Sequence, residues 1–349
     1  MSKRRLTPRT RHRKKRIKPS KSSKSSKQSN ITTVGKKILD TVPDILDNSS
    51  NDSFEAELNI LQEKKILFKS SISTVYLSER YQIVSKEYSN YEIFADNEIA
   101  ILSKCNNDNI IKLIRSEKKK YNIRSSVITV IYLPYYPQGS LLSLIRKKDH
   151  AYSKDKRKLQ QKERLIIMNS LYLQMKNAIT HLRNLKICHV DIRPANILVN
   201  NNHFVLCDFG NSRTFNTYKL NDGYCLGFPY IVPPFGIASD NENTITFTES
   251  YDIWSLAMVM WSIYFGIGNS DGEFMSKRNL YSYDHQASQM EYWYHLSLVL
   301  RKVSEMINNI KQLNSKSNLT NQEKYKKYIL ERFVIMLDPD QTCTIEKLP

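Results

Sequence analysis

Glycine is scarce in this chain, 9 residues in 349, beside an abundance of Lys, Asn, Ile and Tyr that suits an A/T-rich genome. Cysteine is scarcer: Cys105, Cys188, Cys207, Cys225 and Cys343 are odd in number and scattered, and no two form a C-x-x-C pair. That excludes a disulfide framework and a zinc site and leaves reduced thiols, expected in the core. No run of about 18 apolar residues occurs, which excludes a membrane-crossing helix, and the N-terminal stretch has none of the apolar character of a secretory signal. A soluble intracellular protein, working as a monomer and away from membranes, is expected. Acid is missing from residues 1–30, which hold 13 Lys or Arg, whereas the rest of the chain carries 40 basic against 34 acidic side chains. The basicity therefore belongs to the N-terminal stretch and not to the body.

Residues 1–30 are Lys, Arg, Ser and Thr with almost nothing apolar. They cannot offset the entropy of ordering and read as a disordered basic arm. Lys3-Arg4-Arg5 and the cluster from Arg11 to Lys18 fit a nuclear import signal read by a receptor, an electrostatic grip on nucleic acid, or a solubilising tail. Residues 31–60 read as a linker with a short helical lead-in.

The pattern then changes. Ser73-Thr74-Val75-Tyr76-Leu77 and Tyr81-Gln82-Ile83-Val84-Ser85-Lys86 read as strands joined by a polar turn, while Ile66-Leu67-Phe68 is too short to assign alone. The spacing of Ile99, Ile101 and Leu102 predicts a helix from Ala95 to Cys105, followed by strands at 110–115 and 127–133. Beyond Gly139 the period is helical, at 140–147, 162–186, 250–265, 288–312 and 322–337. Two short apolar runs, Ile197-Leu198-Val199 and Phe204-Val205-Leu206, lie between the second and third of these. A sheet-rich stretch at 61–134 and a larger helical stretch at 135–349, with charged motifs near their junction, predict an α+β chain with a cleft between halves.

Those motifs are His189-Val190-Asp191-Ile192-Arg193-Pro194-Ala195-Asn196 and, eleven residues after Asn196, Cys207-Asp208-Phe209-Gly210. At this spacing they resemble the catalytic loop H-R-D-x-x-x-x-N and the D-F-G of the eukaryotic-type protein kinase superfamily. Ser250-Tyr251-Asp252-Ile253-Trp254-Ser255-Leu256-Ala257 is similar to the family's D-x-W-S-x-G helix start, with Ala257 for Gly, which small-molecule phosphotransferases lack. Leu337-Asp338-Pro339 and Thr344-x-x-x-Leu348 resemble the last subdomain, so the resemblance covers roughly residues 62–348.

The resemblance implies a two-lobed kinase fold, a β-rich N-lobe and a helical C-lobe, that uses ATP and Mg²⁺ on protein substrates. It makes Asp191 the group that orients the substrate hydroxyl and accepts its proton, and Asn196 and Asp208 the hard-oxygen ligands of two Mg²⁺ ions. Arg193 stands where a Lys reaches the transferred phosphate. Lys86 and Glu98 are similar to the pair that holds the α and β phosphates, with Glu92 as the other partner within reach. The nucleotide would lie among Ser70, Ser73, Val75, Val84 and Leu198, with Leu133 at the back and residues 134–136, including Tyr135, as the hinge. His189, Phe209 and Leu102 would stack between the lobes, and Asp252 would support the catalytic loop through backbone hydrogen bonds. Asp-Ile-Arg-Pro-Ala-Asn is closer to the D-x-K-P-x-N of Ser/Thr kinases than to the tyrosine-kinase loop. The string also resembles kinases of large DNA viruses.

Four departures bear on function. Phe68, Ser70 and Ser73 occupy the glycine positions of the nucleotide turn. Either they adopt a left-handed conformation at about 1–2 kcal/mol each, or the turn takes another shape with the Ser70 and Ser73 hydroxyls as donors. Val84 replaces a small Ala and should narrow the adenine site. Val190 replaces the Arg that receives an activation-segment phosphate, so activity is expected without phosphate at Ser212, Thr214, Thr217 or Tyr218. Phe228 and Phe235 stand for a Thr and a Glu at the end of that segment, and Thr342 for the Arg that pairs with the Glu; losing both partners together suggests repacking and not collapse. An active Ser/Thr kinase is the expected function. The alternatives are a pseudokinase scaffold with weak or no nucleotide turnover and a nucleic-acid binder working through the arm.

Overall fold

A computed structural model describes residues 64–89, 91–121, 126–149, 161–219, 233, 244–265, 285–337 and 343–348, all within one compact unit, Leu58–Pro349. The basic arm, the 31–60 lead-in, Cys225, Phe228, Phe235, Asp338, Pro339 and Thr342 lie outside the described residues.

Five antiparallel strands open the fold: β1 (Lys64–Lys69), β2 (Ser73–Ser78), β3 (Ile83–Ser89), β4 (Arg115–Tyr121) and β5 (Ser126–Pro134), in the order β1-β2-β3-β5-β4. β1 is an edge strand whose Ile66, Leu67 and Phe68 are all exposed, so it carries none of the inside-outside alternation that marks a strand in sequence. Helix α1 (Glu92–Leu102) buries Ala95, Glu98, Ile101 and Leu102 on one face. It starts three residues earlier than the apolar spacing predicts, because its first turn is led by Glu92, which suits the helix dipole, and carries an exposed Ile93.

The strand expected at 110–115 is corrected. Only Ile110 forms a bridge, parallel to Leu206; the Ile111 amide donates to Leu206 O at 2.9 Å and the Leu206 amide to Asn109 O at 2.8 Å. The apolar run thus serves the helical half, and the true strand β4 begins at Arg115. Asn109 fixes the attachment: its Nδ2 donates to Gln174 Oε1 (3.1 Å) and Phe204 O (3.0 Å), and its Oδ1 accepts from Asn177 at 2.9 Å. A second attachment follows β5, where the Tyr135 amide donates to Gln82 O at 3.0 Å and the Val199 amide to Gly139 O at 2.9 Å.

The helical half is built on α2 (Leu141–Asp149), α3 (Gln161–Asn184), α4 (Glu249–Phe265), α5 (His285–Asn314) and α6 (Asn321–Met336). Every residue of α4 from Glu249 to Ile263 is buried, which makes it the central helix, packed with Leu171 and Met175 of α3 and Leu330 and Phe333 of α6. α6 starts on a capping box, Thr320 with Glu323. Between α3 and α4 run the short strands β6 (Ile187–Cys188), β7 (Ile197–Asn200), β8 (His203–Leu206), β9 (Arg213–Thr214), β10 (Asn216–Lys219) and β11 (Thr244–Phe247). They pair β6 with β9, β7 with β8 and β10 with β11. The result is a two-lobed α+β fold. Among the described residues no helix is long and apolar enough to cross a membrane, and Cys105, Cys188, Cys207 and Cys343 are free thiols.

Candidate active site

Period two along β3 puts Val84, Lys86 and Tyr88 on one face of the sheet. The register sets Val75 opposite Lys86 and Leu133 opposite Val84, so both share that face. Lys86 Nζ reaches Glu98 Oε2 at 2.8 Å and Asp208 Oδ1 at 2.6 Å. Glu98, with no exposed surface, also accepts from the Tyr88 hydroxyl at 2.6 Å and from the Phe209 amide at 3.2 Å. Glu92 lies instead by Lys118, at 3.9 Å, so Glu98 is the partner of Lys86. Burial alone would lower the Lys86 pKa, but the carboxylates of Asp208 and Glu98 outweigh it and hold the ammonium well above its usual range. Burial likewise opposes ionisation of Asp208, and the Lys86 charge overcomes it, holding this carboxyl below its usual range. The cluster therefore carries one cation against two carboxylates. It is closed at Glu98 and open at Asp208, whose side chain is 39% exposed.

The loop after β6 is strained and strapped. Val190, a β-branched residue, sits at φ 72°, a conformation that costs about 1–2 kcal/mol. Asp252 of α4 compensates by accepting the His189 amide at 2.7 Å and the Val190 amide at 3.0 Å. His189 stacks edge-on against Phe209 with centroids 4.6 Å apart, and Leu102 is buried in the same core. Burial holds the His189 imidazole down at about 4. Asp191 Oδ2 accepts from Asn196 Nδ2 at 2.8 Å and Arg193 Nε at 3.1 Å. Its Oδ1 is buried with no protein donor among the described residues. Burial, opposed by Arg193, pushes the Asp191 carboxyl up to about 6.

The nucleotide turn takes a shape of its own. None of Phe68, Ser70 or Ser73 has a positive φ, so the expected left-handed cost is absent. Ser70 Oγ instead accepts from the Ile72 amide (3.3 Å) and the Ser73 amide (3.0 Å) and donates to Ser73 O at 3.1 Å. The turn thus takes another shape, as the second alternative expects, and the Ser70 hydroxyl closes it by occupying two amides and donating to Ser73 O. Leu198 on β7 is joined by a bridge to Ser140, just beyond Tyr135 and the end of β5.

The segment after Gly210 is docked through hydroxyls and rings. Ser212 Oγ donates to His189 O at 3.3 Å, Thr214 Oγ1 lies 2.7 Å from the Tyr218 hydroxyl, and Thr217 Oγ1 lies 2.7 Å from Thr246 Oγ1. Where the family's arginine would stand, Val190 joins Cys188, Phe247 and Tyr251 in a buried apolar cluster, with Phe215 and Tyr218 packed against it.

Two residues at the site escape motif reading. Tyr88 could have been found from its period-two relation to Lys86. Asn97, one residue before Glu98, donates from Nδ2 to Phe209 O (3.2 Å), Gly210 O (3.0 Å) and Ser212 O (2.9 Å), and nothing local in the sequence signals that contact.

The chain is 27% identical over 214 residues to a protein named “probable myosin light chain kinase” from Dictyostelium discoideum, covering 58% of this chain and 40% of that one. It is 29% identical over 150 residues to the serine/threonine-protein kinase SKS1 of Saccharomyces cerevisiae, covering 40% and 27%. It is 27% identical over 208 residues to the serine/threonine-protein kinase Nek5 of Mus musculus, covering 57% and 30%. The chain thus spans about a quarter to two fifths of the length of these relatives. The sequence pattern of the protein kinase domain matches residues 72–331, and by that match over most of its length the chain belongs to the protein kinase family.

Proposed function

We propose that the chain is an active protein kinase that transfers the γ-phosphate of ATP to Ser or Thr hydroxyls of proteins. The observation that carries this reading is Lys86 bonded to both Glu98 and Asp208, with Asp191 presenting a buried oxygen that no donor among the described residues takes. A pair of oxygen ligands suits Mg²⁺: Asp208 is ionised, and Asn196 engages Asp191 through Nδ2, leaving its amide oxygen as the coordinating end. Bound magnesium would neutralise charge on the phosphates.

The residues of the chain do the rest. Lys86 holds the nucleotide phosphates, kept in place by Glu98. Asp191 Oδ1 receives the hydrogen bond of the substrate hydroxyl and takes its proton, while Asn196 and Arg193 fix the opposite oxygen. Arg193 turns its charge toward the transferred group. Val75, Val84, Leu133, Tyr135 and Leu198 bound the base, and residues 1–30 offer a polycationic handle for an import receptor or nucleic acid.

One observation favours the second reading, a pseudokinase scaffold. Ser70 occupies the amides of Ile72 and Ser73, donors that would otherwise face a phosphate. Radiolabelled ATP and Mg²⁺ with one basic and one acidic model protein, beside Asp208→Ala, separates the two. Label on phosphoserine or phosphothreonine in the unmodified chain alone is expected; equal label in both samples refutes the enzyme.

A further inference from the structure

We propose that Asn97 is a positioning residue: from helix α1 its carboxamide fixes the loop that carries Asp208, so the metal-holding carboxylate is set without a phosphate on the segment that follows. The inference rests on reading Asp208 as a metal ligand.

Asp208 stands at φ 70°, a conformation that aspartate adopts only at some cost, and its side chain is the open member of the Lys86 cluster. Something must hold the backbone there. Asn97 Nδ2 lies 3.2, 3.0 and 2.9 Å from the carbonyls of Phe209, Gly210 and Ser212, three acceptors converging on one NH₂ group. The reverse orientation of the amide would aim its oxygen at three carbonyls, so the network leaves one assignment. The Phe209 amide donates to Glu98 Oε1, so adjacent residues of α1 hold Phe209 by both its N–H and its carbonyl. A Cβ built on Gly210 would lie in ordinary contact with the Tyr88 hydroxyl at 3.4 Å and with Phe94 at 3.5 Å. The loop is therefore enclosed by α1 and β3.

At the position of the family's arginine the catalytic loop offers only an apolar side chain, since Val190 is buried among Cys188, Phe247 and Tyr251. Helix α1 and the Asp208 loop thus move as one unit: an outward shift of α1 that breaks Lys86 from Glu98 also withdraws the three contacts that hold Asp208.

Amide hydrogen exchange on the nucleotide-free full chain reads the loop directly. The Phe209 amide, bonded to Glu98, and the Ser212 amide, bonded to Phe209 O at 3.1 Å, are the reporters. Asn97→Ala, which favours the helix by propensity, and the isosteric Asn97→Asp are each expected to speed exchange at both amides by about tenfold or more, the worth of one to two hydrogen bonds. The Cys207 amide, bonded to Asn196 O, should not change. Both variants should also need about tenfold more Mg²⁺ for half-maximal binding of a fluorescent ATP analogue, with metal-free affinity unchanged. Exchange at Phe209 and Ser212 equal to the unmodified chain in either variant overturns the proposal. Absence of phosphate transfer by the unmodified chain would refute the kinase reading instead, and the exchange comparison would still decide the role of Asn97.

Discussion

Tyr88→Phe removes one oxygen from the centre of the site and almost nothing else. The ring keeps its volume, its full burial and its position 5.0 Å from Lys86 Nζ, so no cavity opens. What is lost is a 2.6 Å hydrogen bond to the Glu98 carboxylate. Burial, with the Glu98 charge beside it, holds the Tyr88 hydroxyl far above its usual pKa, so at neutral pH it keeps its proton and donates it to Glu98. A hydrogen bond to a charged partner contributes about 1.5–3 kcal/mol, and Glu98 retains Lys86 and the Phe209 amide, which places the loss near ~2 kcal/mol. At roughly 2–4 °C per kcal/mol for a domain of this size, melting should fall by about 4–8 °C. If the whole loss falls on the inward state of α1, phosphate transfer falls by up to about 30-fold. Tyr132→Phe is the control, because Tyr132 makes the same kind of bond, 2.5 Å to Glu117, outside the site. It should lower melting alike and leave transfer unchanged. Scanning fluorimetry without nucleotide and initial rates across ATP concentrations measure both quantities. Equal transfer by Tyr88→Phe and the unmodified chain would refute the role assigned to the hydroxyl.

Three further outcomes are expected. Ser70→Gly frees the Ile72 and Ser73 amides and should tighten binding of an ATP analogue about threefold to tenfold, measured by titration calorimetry; weaker binding would contradict the self-closed turn. Val190→Arg, intended to restore the family's cation, places a charge in the Cys188, Phe247 and Tyr251 cluster and should cost about 3–5 kcal/mol in urea denaturation, with no gain from phosphorylation. His189, at about 4 in the fold against about 6.5 unfolded, binds fewer protons in the native state, so its stabilisation is complete above about pH 6.5 and lost as pH falls toward 4. The difference approaches about 3 kcal/mol, and His189→Phe should be less sensitive to acid over that window in parallel urea titrations.

Much of the helical half is readable from periodicity. The run at 162–186 corresponds to α3 (Gln161–Asn184) and that at 250–265 to α4 (Glu249–Phe265), because long helices repeat their apolar stripe often enough to be counted. Short elements fail that test. β6 and β9 have two residues each, too few to show a period, and β1 exposes its apolar side chains. Ile110 and Ile111 look like sheet in the sequence because β-branched residues report burial beside a strand and do not say which strand. At the candidate site, Lys86, Glu98, Asp191, Asn196 and Asp208 stand out in the sequence by residue type and motif spacing, and the fold joins Lys86 to Glu98 and Asp208, and Asn196 to Asp191. Asn97 and the Ser70 closure do not stand out, since a carboxamide or hydroxyl has meaning only once the facing backbone is known.

The segment at Asn109 has a mechanical consequence. A plate fastened to a base at a single point can turn in any direction, whereas one fastened at two can only swing about the line through both. The sheet is fastened to the helical half at Asn109, through Gln174, Asn177 and Phe204, and again at Gly139, through Val199. A nod about that line must break the ties that β3 and α1 make to the Asp208 loop, Lys86 to Asp208 and Asn97 to the carbonyls of Phe209, Gly210 and Ser212.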